Sequence, residues 1–494
     1  MSLLTETASS TDSVTVENNE FDYSAAPANK RVSFHTIGCR LNQSETETLS
    51  RSFEQQGYTV VAETAQAEVC VINTCTVTEP SDAKNRQLIR TLHRKNPAAA
   101  IAVVGCYAQI NPEEIAAIEG VNLVIGSAEK MQITDYLSQI DSHKSPIIVR
   151  PKINKSTFTN PVIPHSTAYI TKSTKYQALK LGQADNSTAS EPQQICDSMS
   201  QQNTRASLKI QDGCDFMCSF CIIPFARGRS RYREFQNLQE EARMLLDEGV
   251  QEIVITGVNV GTYKTGKRSI VDVIDFLNTL PGLSRIRISS IEPTTVPEIL
   301  FQYMSDPQHK LVPFFHLPLQ SGSDIILSQM KRRYTATEYA DEIWRAFESV
   351  PDLCLGTDVM VGFPEENEAE FESTLNLLNK LPLTYFHVFP FSTREGTPAF
   401  RMEAQINPQV KQRRGEILRS LSSKKRRTFN QRFLAQTRNV LWEARKPDGT
   451  ISGYTDNYIR VVLEDLNGPD LRNQLLRVTL KELKGQNVVG VQSI

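Results

Sequence analysis

The feature that most narrows what this chain can be is the run Gly213-Cys214-Asp215-Phe216-Met217-Cys218-Ser219-Phe220-Cys221. It directly follows an apolar stretch at 207–211 that reads as a buried strand, so the cysteines fall on the loop at its carboxyl end. Thiolates spaced four and then three residues apart can each ligate one iron of a four-iron cluster, leaving the fourth iron open to a cofactor. A closed zinc site would need a fourth Cys or His close by. None follows: Cys354 is distant, and His309 and His316 fall on other units.

The 494 residues hold nine cysteines, the other six being Cys39, Cys70, Cys75, Cys106, Cys196 and Cys354. No stretch approaches the roughly 20 apolar residues needed to span a bilayer. Residues 1–30 carry five acids against the single base Lys30, without the apolar core of a secretory signal or the Arg-rich character of a transit peptide. The expectation is a disordered tail on a cytoplasmic protein whose thiols stay reduced, where cysteines serve metals or catalysis rather than disulfides. The length predicts two to four domains, and 39% hydrophobic with 22% charged residues fits a globular chain. A net charge of −2 does not advertise a nucleic-acid binder, so any basic surface must be local.

Four segments follow the tail. Across 31–141, short apolar runs at 32–37, 68–73, 101–105 and 121–125 alternate with helical stretches, the pattern of a parallel α/β sheet. Cys39, Cys75 and Cys106 stand at or just beyond the ends of three of these runs, where parallel sheets collect ligands. Residues 142–205 are polar and aperiodic and read as a linker or insertion, with Cys196 a free thiol. From 206 to 435, six strand-then-helix units begin at 207–211, 252–256, 285–290, 314–319, 353–361 and 385–391, which predicts a partial (βα)6 barrel. From 436 to 494, alternating stretches at 439–444, 458–464 and 475–480 are broken by Pro447-Asp448-Gly449 and Asn467-Gly468-Pro469, which predicts a small antiparallel barrel. Cys70 and Cys354 lie inside apolar runs and read as core.

Polar groups mark the barrel strand ends: Thr256-Gly257-Val258-Asn259, Ile288-Ser289-Ser290 and Leu319-Gln320-Ser321-Gly322. Gly257, Asn259, Ser289 and Gln320 are thereby candidates to hold a cofactor, although turn chemistry explains each motif alone. The CxxxCxxC loop after the first strand of such a series resembles the radical S-adenosylmethionine superfamily. That resemblance implies that Cys214, Cys218 and Cys221 hold a reducing 4Fe-4S cluster whose open iron chelates S-adenosylmethionine. One electron then cleaves the sulfonium to give a 5′-deoxyadenosyl radical.

Upstream, Thr36-Ile37-Gly38-Cys39-Arg40-Leu41-Asn42-Gln43, Asn73-Thr74-Cys75-Thr76-Val77 and Gly105-Cys106-Tyr107-Ala108-Gln109 surround the remaining trio. With them, residues 31–494 resemble the methylthiotransferase family, whose members end in a TRAM domain; Tyr454-Thr455-Asp456-Asn457-Tyr458 looks like its motif. The resemblance implies a second 4Fe-4S cluster on Cys39, Cys75 and Cys106 that presents sulfur to the substrate radical. Residues 37–42, 204–211 and 287–292 are similar to the branch that converts N6-threonylcarbamoyladenosine at position 37 of tRNA, beside the anticodon, to its 2-methylthio form. Other branches act on N6-isopentenyladenosine in tRNA or on an aspartate of ribosomal protein S12. A non-catalytic iron–sulfur carrier or RNA-binding scaffold would also use six ligating cysteines and basic stretches.

The resemblance implies the tRNA anticodon stem-loop, an electron donor such as flavodoxin or ferredoxin and a sulfur donor as partners, no membrane, and a monomer. Two basic runs are candidate RNA contacts: Arg227, Arg229, Arg231 and Arg233 beside the cluster loop, and Lys424-Lys425-Arg426-Arg427 within a stretch of ten bases and one acid from 411 to 438. Solvated or acid-paired charge explains either run as well. One departure stands out: in Gly362-Phe363-Pro364-Glu365-Glu366-Asn367, Glu365 and Asn367 replace the family's usual Gly and Thr. A positive φ there would strain Glu365 by about 1 kcal/mol or more.

Overall fold

The computed structural model describes residues 30–140, 145–164, 204–446, 448–463 and 468–492. The expected tail, but for Lys30, and residues 165–203 with Cys196 lie outside them. The amino-terminal unit is a six-stranded, wholly parallel sheet. Its strands are β1 (Arg31–Thr36), β2 (Thr59–Val61), β3 (Val69–Thr74), β4 (Ala100–Gly105), β5 (Val121–Ile125) and β6 (Ile147–Val149), in the order β2-β1-β3-β4-β5-β6. Every residue of β3 is buried, because helices cover both faces; this is why the strand reads as a continuous Val/Ile run rather than an alternating one. Phe34, Leu49, Val71 and Val104 pack one face, and Ile72, Ile89, Val103 and Tyr107 the other. The chain leaves β1 for β2 on one side and then for β3 on the other, which opens a crevice at the carboxyl ends of β1 and β3.

The boundary expected at 141 is corrected by β6, which pairs with β5 six residues further on. Beyond it the chain docks on the central unit: Phe158 bridges Arg233, and Asn160 exchanges hydrogen bonds with Asn237. A three-residue edge strand within a polar, Pro-containing stretch leaves too little periodicity to be read from sequence.

The central unit contains β7 (Arg205–Lys209), a two-stranded ribbon of β8 (Gln211–Asp212) and β9 (Arg231–Tyr232), then β10 (Glu252–Thr256), β11 (Arg285–Ile288), β12 (Phe314–His316), β13 (Cys354–Val361) and β14 (Tyr385–Pro390). Strands β7, β10 and β11 form one parallel sheet and β12, β13 and β14 another. A bridge between Ile286 and Leu311 joins them into one curved wall, the partial barrel expected. Strand β12 ends earlier than the expected 319 because Pro318 has no N–H to continue the ladder. One continuous core, from Leu208 and Ile253 through Phe315 and Leu355 to Phe386, ties the wall to its outer helices.

The final unit is a closed barrel of β15 (Thr437–Trp442), β16 (Ile451–Thr455), β17 (Arg460–Leu463), β18 (Leu475–Lys484) and β19 (Asn487–Gln492). Sequence reading missed β16, which is five residues long and carries a glycine; a Cβ at Gly453 would lie 2.5 Å from the Leu441 carbonyl. The barrel shares its core with the central unit, Trp442 and Phe433 packing with Phe314, Cys354 and Tyr385. Cys70 and Cys354 are fully buried core residues. No helix of the described residues is long and apolar enough to cross a membrane.

Candidate active site between two cysteine triads

The loop after β8 is held by its backbone. Gly213 has φ +69, and a Cβ there would meet the Arg229 carbonyl at 2.2 Å, so only glycine permits the turn that delivers Cys214. Cys214 N donates to Gly228 O at 3.1 Å, Phe216 N reaches the Cys214 sulfur at 3.4 Å, and Arg332 Nη1 lies 3.3 Å from the Cys218 sulfur. Burial, together with the charge of Cys218, pushes the Cys214 thiol up to about 11 and the Cys221 thiol up to about 12. Cys214 and Cys221 are therefore protonated thiols at neutral pH, and a metal must displace their protons to bind.

Cys39, Cys75 and Cys106 follow β1, β3 and β4, neighbours in the sheet whose ends are in register through Thr36–Asn73 and Thr74–Gly105. Gly38 has φ +123 and packs against Cys75, where a Cβ would come 2.6 Å from the cysteine Cβ. Asn42 ties the loops together by donating to Ile37 O and Thr74 O, and Asn85 holds Cys75 O at 2.7 Å. Burial, then Cys106 and Cys39, push the Cys75 thiol up to about 12. The sheet order thus brings three cysteines together from positions 36 and 31 residues apart in the chain.

A buried ion network joins the triads. The helix Cys106–Ile110 packs on the helix Ile223–Ala226 that follows the cluster loop. At that seam Glu45, on the helix behind Cys39, accepts from Arg227 at 2.9 Å, from Lys209 at 2.8 Å and from Lys130. Asp212 accepts from Lys209 at 2.7 Å, Arg227 at 3.1 Å and Arg231 at 3.3 Å, while Arg227 also donates to Asn42 Oδ1 at 2.6 Å. Burial would raise the Glu45 carboxyl, but Arg227, Lys130 and Lys209 hold it well below the usual range. Four cations face two carboxylates, and Arg227 and Lys130 both act on Cys106. An anionic metal–thiolate cluster on Cys39, Cys75 and Cys106 supplies the missing negative charge, so the donor set and its surroundings fit a 4Fe-4S cluster.

Around the other triad, Asn259 and Gln320 are almost wholly buried, yet Asn259 Nδ2 and Gln320 Oε1 have no hydrogen-bond partner among the described residues. Gln320 also holds φ +71. Orphaned amide groups beside a cluster loop fit the amine, carboxylate and adenine of S-adenosylmethionine. Gly257 approaches Gln211 so closely that a Cβ would lie 2.9 Å from its carbonyl, and Gln211 Oε1 accepts from Val258 N and Asn259 N at 2.8 Å each. Ser289 is half-buried just past β11 and anchored by its backbone to Ile255 O. Deeper along the wall, Asp358 Oδ1 accepts from His316 at 3.0 Å and His387 at 3.2 Å. Burial raises the Asp358 carboxyl, but the two imidazoles hold it well below the usual range.

The candidate RNA contacts divide. Arg227 and Arg233 are 1% and 0% exposed, the latter paired with Glu241, so neither is free to grip a phosphate. This corrects the expectation for those two; their acids come from elements that local reading does not see. Arg231 is tied to Asp212, whereas Arg229 is 53% exposed and 3.9 Å from Asp215. In the helix Pro408–Gln431, Lys425 donates to Asn379 O and Leu381 O and Arg426 lies over Tyr385, leaving Lys424 and Arg427 exposed. Sequence reading also missed Glu45, Asp212 and Lys130; Lys209, a charge inside an apolar strand, was the one visible signal.

A loop of three cysteines on a partial parallel barrel defines a radical S-adenosylmethionine protein, and residues 208–378 match the Radical SAM superfamily profile. Residues 31–126 match that of the uncharacterized protein family UPF0004. The chain is 35% identical over 471 residues to the threonylcarbamoyladenosine tRNA methylthiotransferase MtaB of Bacillus subtilis (strain 168), covering 93% of this chain and 97% of that protein. The enzyme of the same name from Aquifex aeolicus (strain VF5) is 33% identical, covering 81% and 89%. The tRNA-2-methylthio-N(6)-dimethylallyladenosine synthase of Ehrlichia canis (strain Jake) is 28% identical, covering 92% and 98%. The chain belongs to the MtaB family of radical S-adenosylmethionine methylthiotransferases. Among solved structures, the radical S-adenosylmethionine methyltransferase TsrM from Kitasatospora setae shares the fold, with a TM-score of 0.51 and 14% identity over 75% of this chain and 77% of that one.

Proposed function

We propose that this chain attaches a methylthio group to N6-threonylcarbamoyladenosine at position 37 of tRNA. One observation carries the reading: the docked seam sets two separate cysteine triads on either side of the Arg227–Glu45 network, an arrangement that an electron carrier or RNA scaffold does not need. Higher identity to relatives named for threonylcarbamoyladenosine than to the one named for the dimethylallyl base supports the substrate.

When bound, the two 4Fe-4S clusters and S-adenosylmethionine supply one-electron chemistry at one triad and sulfur at the other. The chain contributes position and a dry site. Asn259 and Gln320 orient the cofactor through the amide groups left unpaired among the described residues. Arg332, paired with Glu292, directs its other nitrogen at the Cys218 sulfur and holds that side of the loop in place. The buried salt network closes the seam to water. Arg229, Lys424 and Arg427 offer exposed charge to the stem-loop backbone. The partners of this reading are tRNA, a one-electron donor of the flavodoxin or ferredoxin kind and a sulfur donor, in the cytoplasm.

Mass spectrometry of tRNA nucleosides tests it. Cells lacking the gene are expected to lose 2-methylthio-N6-threonylcarbamoyladenosine and keep its precursor. Persistence of the methylthio nucleoside, in a strain with no second enzyme for it, removes the substrate assignment. Absence of 5′-deoxyadenosine from reduced, fully cluster-loaded protein given S-adenosylmethionine favours the carrier reading instead.

A further inference from the structure

Arg40 stands one residue from Cys39, at the start of the helix Arg40–Gln55. A cation is unfavourable at the positive end of a helix, and no acid in the first turn offsets it. The side chain is exposed and makes no ion pair among the described residues. It reaches across to the closed barrel, where Nη2 donates to the Tyr458 hydroxyl at 2.6 Å.

Tyr458 is the meeting point of all three units. Its ring stacks on Tyr454 at 4.8 Å and leans on Phe314 at 4.7 Å, with the guanidinium groups of Arg287 and Arg205 at 5.0 and 5.9 Å. Arg287 is matched by Glu252 at 2.7 Å and Arg205 by Glu443 at 3.1 Å. Burial raises the Tyr458 hydroxyl, but Arg40, Arg205 and Arg287 bring it below its ordinary value, a measure of the uncompensated positive charge there. Arg40 is the member of this group with no carboxylate of its own among the described residues.

We infer that Arg40 is the specificity residue of the site, binding a carboxylate on the N6 substituent of the target base. This rests on the substrate reading above. Threonylcarbamoyl ends in a carboxylate and a hydroxyl; an isopentenyl group carries neither. On adenine, C2 and C6 flank N1, so a base whose C2 faces the sulfur carried beside Cys39 holds its N6 substituent within reach of a neighbouring side chain. The guanidinium fork matches a carboxylate in two parallel hydrogen bonds, and Tyr458 holds it in place while leaving other N–H groups free. A neutral substituent leaves that charge unpaired, which is how a polar site rejects an analogue.

The test measures binding of cluster-loaded protein to stem-loop RNAs differing only at position 37: threonylcarbamoyladenosine, its carboxamide in which an amide replaces the carboxylate, and isopentenyladenosine. The wild type is expected to prefer the carboxylate RNA over the carboxamide by roughly tenfold to a hundredfold. Arg40→Gln should bind the two alike, Arg40→Lys should keep part of the preference, and Tyr458→Phe, which removes only the anchoring hydroxyl, should keep most of it. A full preference in Arg40→Gln overturns the inference and leaves the substrate reading standing. Equal weakening toward all three RNAs makes Arg40 a structural tie to the barrel and overturns it too. A wild type that prefers isopentenyladenosine sinks the substrate reading itself.

Discussion

The two cysteine triads are built by opposite means. Cys214, Cys218 and Cys221 sit on one loop whose turn is secured by Gly213, so eight residues of backbone determine their placement. Cys39, Cys75 and Cys106 come from three strand ends, and their meeting depends on the order β1-β3-β4 and on the register of the whole sheet. A local triad survives perturbation elsewhere in the fold; a distributed one fails when its scaffold moves. The distributed triad is also the one wrapped in buried charge, with Arg227 and Lys130 beside Cys106.

The largest effects come from removing one ligand on each side. Cys218→Ala should abolish 5′-deoxyadenosine formation, because the cofactor loses its iron. Cys106→Ala should abolish methylthiolation while some uncoupled cofactor cleavage persists. Iron analysis and electron paramagnetic resonance of anaerobic protein should find about half the wild-type iron in each variant. Full methylthiolation by Cys106→Ala, or zinc in place of iron, breaks the comparison outright.

Next in size is the seam. Glu45→Ala leaves the buried cations Lys130, Lys209 and Arg227, with the partly buried Arg231, facing Asp212 alone and should cost about 3–5 kcal/mol, read from denaturant unfolding. Adding Arg227→Met should restore part of that loss, since the two residues are one interaction. If Glu45→Ala unfolds with wild-type stability, the network does not hold the triads together.

Legibility followed the same divide. The cluster loop could be read because its spacing is local, and the upstream cysteines because each ends an apolar run; that these runs are neighbours is a property of the sheet. The arginine run at 227–233 shows the limit: alternate spacing on a loop looks solvent-facing, yet Glu45, Asp212 and Glu241 pair with three of its four members, two of them buried. Arg40 gave no signal, because its partner Tyr458 lies 418 residues away. Asn367, which departs from the family's usual Thr, proves equivalent: it caps the helix Glu368–Lys380 by accepting from Glu370 N at 3.2 Å.

A smaller effect separates the sheet from the partial barrel by pH. Burial, aided by Lys95, lowers His35 in β1 to about 4, while the unfolded value is near 6.5. Between these values the unfolded chain binds the extra proton. The stability from neutral His35 is therefore complete above pH 6.5 and is lost as pH falls toward 4, by up to about 3 kcal/mol. Hydrogen exchange on the full chain should show β1 and β3 loosening in this window before β10 and β13. His35→Gln should flatten that dependence; an unchanged acid profile assigns it to other groups.

The smallest effect lies in the central unit, at the other family departure. Glu365 holds φ +67, a left-handed conformation that costs a residue with a Cβ about 1–2 kcal/mol. Its backbone N–H is fixed to Ala404 O at 3.0 Å, and its carboxylate accepts from Gln329 Nε2, so the loop is held in this shape from both sides. Glu365→Gly removes the strain and the side-chain bond together, and the greater freedom of glycine in the unfolded chain takes back roughly 0.5–1 kcal/mol. The net gain should be at most about 1 kcal/mol, seen as a small rise in Tm. Glu365→Ala supplies the control: it keeps the strained φ, loses the Gln329 contact and should be less stable than wild type. Should alanine and glycine behave alike, the positive φ stores no strain, and the loop is governed by its contacts alone.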